Sequence, residues 1–452
     1  MKRILIAGVL GVYSTVTLAV TLVTDSTIKQ QKDLTSQFKL RNGIEVHHRS
    51  VPGSDIVEVD LIFNSGLKDS PQGKKVIGKW ALNVMSMASK AYPKEKMYEI
   101  VEKYSFETAC SQGIEYTTCG LGTLNDYFEK GLEVFSDFVI NPQFAEEDAA
   151  LVKQQMLAML REVPTDPGGY SNEIVNKVFY PKNHPYRHDH EDAMKELEKF
   201  GVKDLKEYHK GLLNSHNMKL VVVSSLKQSE LKKALDNAFG GIGKAHDFVA
   251  KVVPPKFDER KSVNFEHREI PTAYIKAKFV LPPVDSSESE GLRLMISILD
   301  EMLGEEVRTK RSLSYSVYAY LIQYSMGLGV VGASTSKPKE TLEAIEKVIA
   351  DLKARTLSAE ELEEHKRGFA TKYFFTLETH RSLVSAISRS VQYFGTSHQL
   401  YEMPKNLDSV DSKMIKRLAN KYLKDFRLGI VFDEKKFKME WAKKFVSNLK
   451  RQ

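Results

Sequence analysis

Apolar and polar residues recur with two different periods along the chain, and each period predicts one kind of secondary structure. Residues 57–63 alternate between apolar and polar, which is typical of a half-buried strand. The Asn42-Gly43 pair between Phe38 and Val46 is typical of a tight turn between two strands. Apolar residues repeating every three or four positions predict amphipathic helices. In the first half these helices cover about 75–90, 94–104, 126–139, 145–163, 169–179, 202–213 and 228–239, with a hairpin at about 105–122.

The same order of elements returns after a stretch of different character. Residues 240–268 contain Gly240-Gly241, Pro254-Pro255 and mixed charges, and we interpret them as a linker. Beyond it, the pattern predicts a strand at 272–281, a helix at 288–303, a hairpin at 314–335, and helices at 338–355, 358–385 and 409–423. Both halves close on an apolar strand, residues 218–223 in the first and 427–432 in the second.

This recurrence predicts an α+β fold made of two tandem homologous domains, each a mainly antiparallel sheet with helices packed on one face. We expect the domains at residues 34–245 and 269–446, joined by a linker at 246–268. A chain of 452 residues with 42% hydrophobic and 28% charged residues can bury two such cores.

The first residues predict export. Met1, Lys2 and Arg3 precede an apolar stretch from Ile4 to Val23, which is the pattern of a secretory signal. Its length is close to the roughly 20 residues that span a bilayer. Residues 1–24 are therefore predicted to be a signal peptide, or a signal anchor that tethers the chain to a membrane through residues 4–23. In either case the protein is expected to be periplasmic or otherwise extracytoplasmic.

Charge and cysteine content narrow the function classes. Lys and Arg (66) are interspersed with Asp and Glu (59), giving a net charge of +7 without a basic run, so a nucleic-acid partner is not expected. Cys110 and Cys119 flank the predicted hairpin turn at Gln112-Gly113. A disulfide and two buried thiols both fit this pattern, because the strand register decides which way the side chains point. Neither cysteine has the spacing of a catalytic one.

Five short motifs stand in a fixed order along the chain. They are Leu40-Arg41-Asn42-Gly43, Phe63-Asn64-Ser65-Gly66, Asn141-Pro142-Gln143-Phe144, His184-Pro185-Tyr186, and Val307-Arg308 continuing to Leu313-Ser314-Tyr315-Ser316-Val317. Because of these motifs and the duplicated order of strands and helices, the chain resembles the pitrilysin/insulinase family of metallopeptidases over roughly residues 34–445. The resemblance is to the short two-domain members of that family, which work in pairs.

Active members of this family carry H-x-x-E-H on the helix after the second motif. There, two histidines one helical turn apart bind zinc and the glutamate activates its water. In this chain the matching positions are Trp80 and Val84 for the histidines and Asn83 for the base. Trp and Val offer no lone pair to a metal, and an Asn amide cannot accept a proton from water. Glu162 matches the distal ligand, but a lone carboxylate does not hold catalytic zinc. We therefore expect a packed core helix and no metal here.

The resemblance also implies a role for Arg308 and Tyr315. In paired members the inactive subunit supplies an Arg and, seven residues later, a Tyr to the site of its zinc-bearing partner. An Arg can hold substrate carbonyl or carboxylate groups, and a Tyr hydroxyl can donate to the oxyanion of the intermediate. The alternative is that Arg308 makes a surface salt bridge and Tyr315 packs in a strand. The preceding stretch, Leu303-Gly304-Glu305-Glu306, is shorter and more acidic than the Gly-rich loop common in the family.

Two other groups of polar residues could suggest a metal site. The first group is His184, His188, Asp189, His190 and Glu191. The second group is Glu361, Glu364 and His365. We interpret the first as a loop after a helix and the second as the solvated face of a charged helix, so neither is expected to bind a metal.

Two hypotheses follow. In the first, the chain is an exported subunit, not catalytic alone, that forms a heterodimer with an active homologue, encloses and orients peptide substrates, and relies on zinc in the partner. In the alternative, it is a structural or peptide-holding assembly protein with no catalytic role, like the core subunits that this family contributes to respiratory complexes. An independent peptidase with an unrecognised site is the least favoured reading.

Overall fold

The computed structural model describes residues 25–244 and 262–450. The predicted leader at 1–24 and residues 246–261 of the predicted linker lie outside the described residues. The strands are β1 (Thr35–Lys39), β2 (Glu45–Ser50), β3 (Ile56–Phe63), β4 (Glu107–Gln112), β5 (Thr117–Leu124), β6 (Met218–Ser224), β7 (Val263–His267), β8 (Ala273–Leu281), β9 (Ser316–Gln323), β10 (Gly327–Thr335) and β11 (Arg427–Phe432).

Helices connect these strands in both halves. They are α1 (Asp25–Asp33), α2 (Val76–Met85), α3 (Lys94–Tyr104), α4 (Phe128–Ile140), α5 (Glu146–Glu162), α6 (Pro167–Phe179), α7 (His190–Lys199), α8 (Val202–Leu212), α9 (Gln228–Phe239), α10 (Ser289–Leu303), α11 (Pro338–Ala354), α12 (Ala359–Phe375), α13 (His380–Phe394), α14 (Gln399–Asn406), α15 (Ser412–Tyr422) and α16 (Met439–Lys450). No helix in the described ranges combines the length and the apolar character needed to cross a bilayer.

The two sheets share one strand order. The first runs β1-β2-β6-β3-β5-β4 and the second β7-β11-β8-β10-β9. With β1 set aside, each strand of the second sheet occupies the place of its counterpart in the first. In both, one pair is parallel, β2 with β6 and β7 with β11, and the remaining pairs are antiparallel. The predicted α+β duplication is confirmed.

The sheets are covered on both faces, whereas the sequence predicted helices on one face. Helix α6 of the first half packs on β7, β8 and β11, and α13 of the second half packs on β3 and β6. Residues 57–63 of β3 are consequently all buried, not half-buried as their alternation predicted. Gly429 of β11 permits the close approach of α6, since a Cβ there would lie 2.2 Å from the backbone nitrogen of Val175. Each half therefore contributes one helix that packs on the sheet of the other half.

Two further predicted elements differ in the structure. Residues 263–267, which we assigned to the linker at 246–268, form β7 and pair in parallel with β11. The single helix predicted at 358–385 is two helices, α12 and α13, because Thr379 caps a new start by accepting a hydrogen bond from the amide of Ser382.

Cys110 and Cys119 stand directly opposite each other in β4 and β5 and form a disulfide. Of the two alternatives given by the sequence, a disulfide or two buried thiols, the structure has the disulfide.

Candidate functional site

Helix α2, where an active relative would carry its metal ligands, is packed into the core of the first half. Trp80 and Val84 are each 1% exposed, while Asn83 faces solvent. The Trp80 indole donates to the carbonyl of Ala149 at 3.1 Å, and the Lys153 ammonium lies 5.2 Å from the centre of its ring. The space that a metal ion would need is filled by an aromatic ring and its contacts.

The absence of ligands on this helix does not depend on how the family motif is aligned with it. Residues 76–85 read Val-Ile-Gly-Lys-Trp-Ala-Leu-Asn-Val-Met and contain no His, Cys, Asp or Glu. Shifting the motif by one or two positions therefore still gives no pair of ligands and no general base. Helix α2 cannot hold zinc in the manner of the family.

Glu162, the predicted residual ligand, is an exposed residue at the C-terminal end of α5. Ala149, whose carbonyl accepts the hydrogen bond from the Trp80 indole, lies near the other end of the same helix. Thirteen residues at about 1.5 Å each separate the two by about 20 Å. The structure thus places Glu162 away from Trp80.

The start of α2 is held by a buried polar network that sequence reasoning missed. The Lys75 ammonium donates to the carbonyls of His184 (2.9 Å) and Pro185 (3.0 Å) and also to that of Arg187. Burial lowers the pKa of Lys75 to about 8. The carboxylate of Glu196 accepts from the amide of Val76 at 2.8 Å. The His-Pro-Tyr motif therefore forms a structural anchor for α2, and only the tertiary contacts reveal it.

The histidines near this anchor have structural partners instead of a shared metal. His184 stacks on Tyr180 with ring centres 4.6 Å apart, and burial lowers the pKa of His184 to about 4. His190 contacts the carboxylate of Glu173 through Nδ1 at 2.8 Å. Across residues 25–244 and 262–450, no group of three or more His, Cys, Asp or Glu side chains is arranged to hold a metal ion. The same finding covers the group around His365 on α12.

Arg308 and Tyr315 lie on a loop that is anchored from inside. Arg308 sits in a wide π-helical segment, residues 304–310, that continues α10, and Tyr315 comes just before β9. The fully buried Val307 accepts a backbone hydrogen bond of 2.9 Å from Leu313, which is 9% exposed. This closure leaves Arg308 and Tyr315 on the surface side of the loop, Tyr315 with 91% of its surface exposed.

The acidic residues beside Arg308 are engaged by other cations. Glu305 pairs with Lys310 at 2.8 Å, and Glu306 pairs with Arg311 at 2.8 Å and with Lys347 at 2.9 Å. In the part of the chain that the structure describes, Arg308 makes no ion pair and Tyr315 makes no side-chain hydrogen bond. The surface salt bridge and the strand packing considered as alternatives for these two residues are therefore not formed. Both side chains remain available to another molecule.

These features define a duplicated, peptidase-like protein without a metal-binding helix. The family model described as insulinase (peptidase family M16) matches residues 48–184, and the model described as peptidase M16 inactive domain matches residues 199–369. The chain belongs to the M16 insulinase family.

Relatives include proteins named both as peptidases and as non-peptidases. The chain is 21% identical to the zinc protease PqqE of Helicobacter pylori, over 96% of this chain and 99% of that protein. It is 20% identical to the non-peptidase homolog YmxG of the same organism, over 81% and 84%. A crystal structure of a peptidase M16 inactive domain from Pseudomonas fluorescens matches with a TM-score of 0.81 at 18% identity, over 88% of this chain and 98% of that one. The lack of zinc ligands on α2, the match to the inactive-domain model and the non-peptidase relative together support a non-catalytic member of the family.

Proposed function

We propose that this chain is the non-catalytic subunit of a heteromeric zinc peptidase, pairing with an active homologue and helping to enclose and orient its peptide substrates. The observation that carries the proposal is the contrast between two places. Helix α2 carries no His, Cys, Asp or Glu, while Arg308 and Tyr315 keep the family's spacing and are exposed without protein partners in the described residues.

The chemistry of the two side chains suits a shared site. An Arg fork can hold a substrate carbonyl or carboxylate through parallel hydrogen bonds, and a Tyr hydroxyl can donate to an oxyanion as it forms. Zinc and the water it activates would belong to the partner. Contacts that align the scissile bond with that water can supply much of the rate even though they break no bond.

An oxidising compartment is part of the same proposal. The disulfide between Cys110 and Cys119 supports it, because disulfides persist outside the cytoplasm and are rare within it. The periplasm or another extracytoplasmic space would therefore be the place of assembly, with residues 1–24 as the export signal or anchor.

Co-expression with a homologue that carries an intact H-x-x-E-H motif tests this proposal. We expect activity from the pair and none from this chain alone. Tyr315→Phe should lower kcat by about 10²-fold, the lower end of the loss seen when an oxyanion donor is removed, and Arg308→Ala should lower kcat/KM. Arg367→Ala and Tyr98→Phe, at exposed positions on other helices, are the matched controls and should be active.

Assembly must be measured beside activity, by size-exclusion chromatography of each variant pair. Loss of activity with intact assembly would support a contribution of Arg308 and Tyr315 to the partner's site. Full activity of an Arg308→Ala/Tyr315→Phe pair would reject it and leave the structural or peptide-holding role. Chelator-sensitive cleavage by the purified chain alone would contradict both roles.

A further inference from the structure

A cavity of about 500 Å³ lies in the second half, at the far end of β9 from Tyr315. Its walls come from the last residues of β9, from α10, and from α12, α13 and α14 where they converge. Tyr315 precedes β9 and Gln323 ends it, so about 25 Å of strand separates this cavity from the Arg308–Tyr315 loop. The cavity is therefore a separate site.

The cavity combines an apolar wall with amide side chains. The apolar wall is formed by Leu321, Phe369, Leu377, Phe394, Leu400 and Met403. Gln323 and Gln399 also line it, and in the described ranges neither side-chain amide hydrogen-bonds to the protein. A volume of this size lies within the range of about 300–1,000 Å³ that is usual for ligand sites. A ligand with both apolar and amide groups would fit these walls.

The side chains that line the cavity carry positive charge and no negative charge. Arg293 and Arg389 line it, and no Asp or Glu is among the described lining residues. Arg389 donates through Nη2 to the carbonyl of Gln323 at 2.7 Å and forms no ion pair within the described chain. Arg293 lies 3.5 Å from the Glu290 carboxylate, outside the cavity wall, and its Nε is buried without a hydrogen-bond partner.

We infer that this cavity binds the C-terminal carboxylate of a peptide whose last side chain is apolar. Guanidinium groups pair with carboxylates through two parallel hydrogen bonds, and Arg389 has donors to spare for such a pair. The apolar wall takes the last side chain, and Gln323 and Gln399 pair with the preceding amide groups. A neutral end would keep the apolar and amide contacts but leave the Arg389 guanidinium without a counter-ion.

Binding to the purified chain alone tests this site, so the result does not depend on whether a catalytic partner exists. The probe is an octapeptide ending in Leu-Phe with a fluorescein at its N-terminus, followed by fluorescence anisotropy. We expect the free acid to bind at least about tenfold more tightly than the same peptide with a C-terminal amide, since hydrogen bonds to charged groups are worth that much.

Two variants address the site from different sides. Arg389→Met removes the charge and should weaken binding of the free acid about tenfold while leaving the amide unchanged. Ala386→Phe keeps both arginines but fills the cavity, and should weaken both peptides. Arg367→Met, an exposed arginine of α12, is the control and should bind like the native chain. Circular dichroism checks that each variant is folded.

Several results would overturn the inference. Equal affinity for the acid and the amide would show that the carboxylate is not recognised. Equal affinity for peptides ending in Leu-Ser and in Leu-Phe would show that the apolar side chain is not recognised. If N-acetylphenylalanine competed as strongly as the octapeptide itself, the ligand would be a small apolar acid and not a peptide end. No binding of either peptide to the folded native chain would reject the site.

Discussion

The carboxylate of Glu115 accepts a hydrogen bond of 2.9 Å from the backbone amide of Ser325, 210 positions later in the chain. Glu115 lies between β4 and β5, and Ser325 lies between β9 and β10, so the contact joins two hairpins that the duplication makes equivalent. Glu115 is 3% exposed and also accepts a hydrogen bond from the Tyr186 hydroxyl. One buried carboxylate thus fastens the two halves to each other.

Glu115→Ala should destabilise the protein, because the buried Tyr186 hydroxyl and the half-buried Ser325 amide would lose their acceptor. We expect the free energy of unfolding to fall by about 1–3 kcal/mol in urea denaturation. Glu102→Ala, at an exposed position of α3, is the matched control and should change little. Equal unfolding midpoints for the Glu115 and Glu102 variants would show that this contact does not stabilise the joined halves.

Glu58 should make stability depend on pH in an unusual direction. It lies on β3 beneath α13, with the Arg381 guanidinium 2.7 Å from its carboxylate. Burial raises the pKa of Glu58 by more than Arg381 lowers it, and the pKa is about 7. Between about pH 4.5 and pH 7 the folded state therefore holds more protons than the unfolded state. The stabilisation that comes from the raised pKa of Glu58 is full below about pH 4.5 and is lost as the pH rises through 7.

Urea denaturation from pH 5 to pH 8 measures this effect. The native chain should lose stability over that interval relative to Glu58→Gln, which stays neutral, and the gap in favour of the variant should widen toward pH 8. A constant difference between the two proteins across the series would contradict the assignment of this titration to Glu58.

Lys278 is a buried lysine that pairs with no carboxylate among residues 25–244 and 262–450. It is 4% exposed on β8, its ammonium donates to Asn176 at 2.6 Å, and burial lowers its pKa to about 7. The unfolded chain, with a lysine pKa of 10.5, holds the extra proton between about 7 and 10.5, so stability rises with pH in that window.

Lys278→Met should remove that pH dependence and raise the Tm at pH 7 by about 2–4 °C, the shift expected for roughly 1 kcal/mol in a domain of this size. Differential scanning calorimetry at pH 7 and pH 9.5 checks both effects, with Lys339→Met at an exposed position of α11 as the control. A lower Tm for the Lys278 variant would mean that the hydrogen bond to Asn176 outweighs the cost of burying the charge.

Restoring the family motif on α2 should not restore a zinc site. The triple variant Trp80→His/Asn83→Glu/Val84→His puts polar groups where the native side chains are packed, and Trp80 and Val84 are each 1% exposed. We expect a loss of roughly 3–5 kcal/mol of stability, as for other truncations of large buried side chains. Metal analysis after dialysis should find no stoichiometric zinc in the triple variant. One zinc per chain would show that the helix can still open toward a metal.

The sequence alone determined the properties that depend on residue type and order. The strand and helix order recurs in both halves because the apolar periodicity recurs, and periodicity is a local property of the chain. The lack of a zinc ligand on α2 follows from ten residue types, which no arrangement of the chain can change. The break between α12 and α13, also local, was missed because the capping signal at Thr379 lies inside a continuous helical pattern.

Tertiary structure decided what depends on contacts between distant residues. The five-residue strand β7 gains its pairing from β11, more than 150 positions away, so its own sequence read as a linker. The burial of both faces of β3 needs α13 from the other half. The Cys110–Cys119 disulfide needs a register, and the exposure of Arg308 and Tyr315 needs Val307 and Leu313 to be buried beneath them. The physical reason is the same in each case, since residue types set which interactions are available and the packing of distant segments sets which of them form.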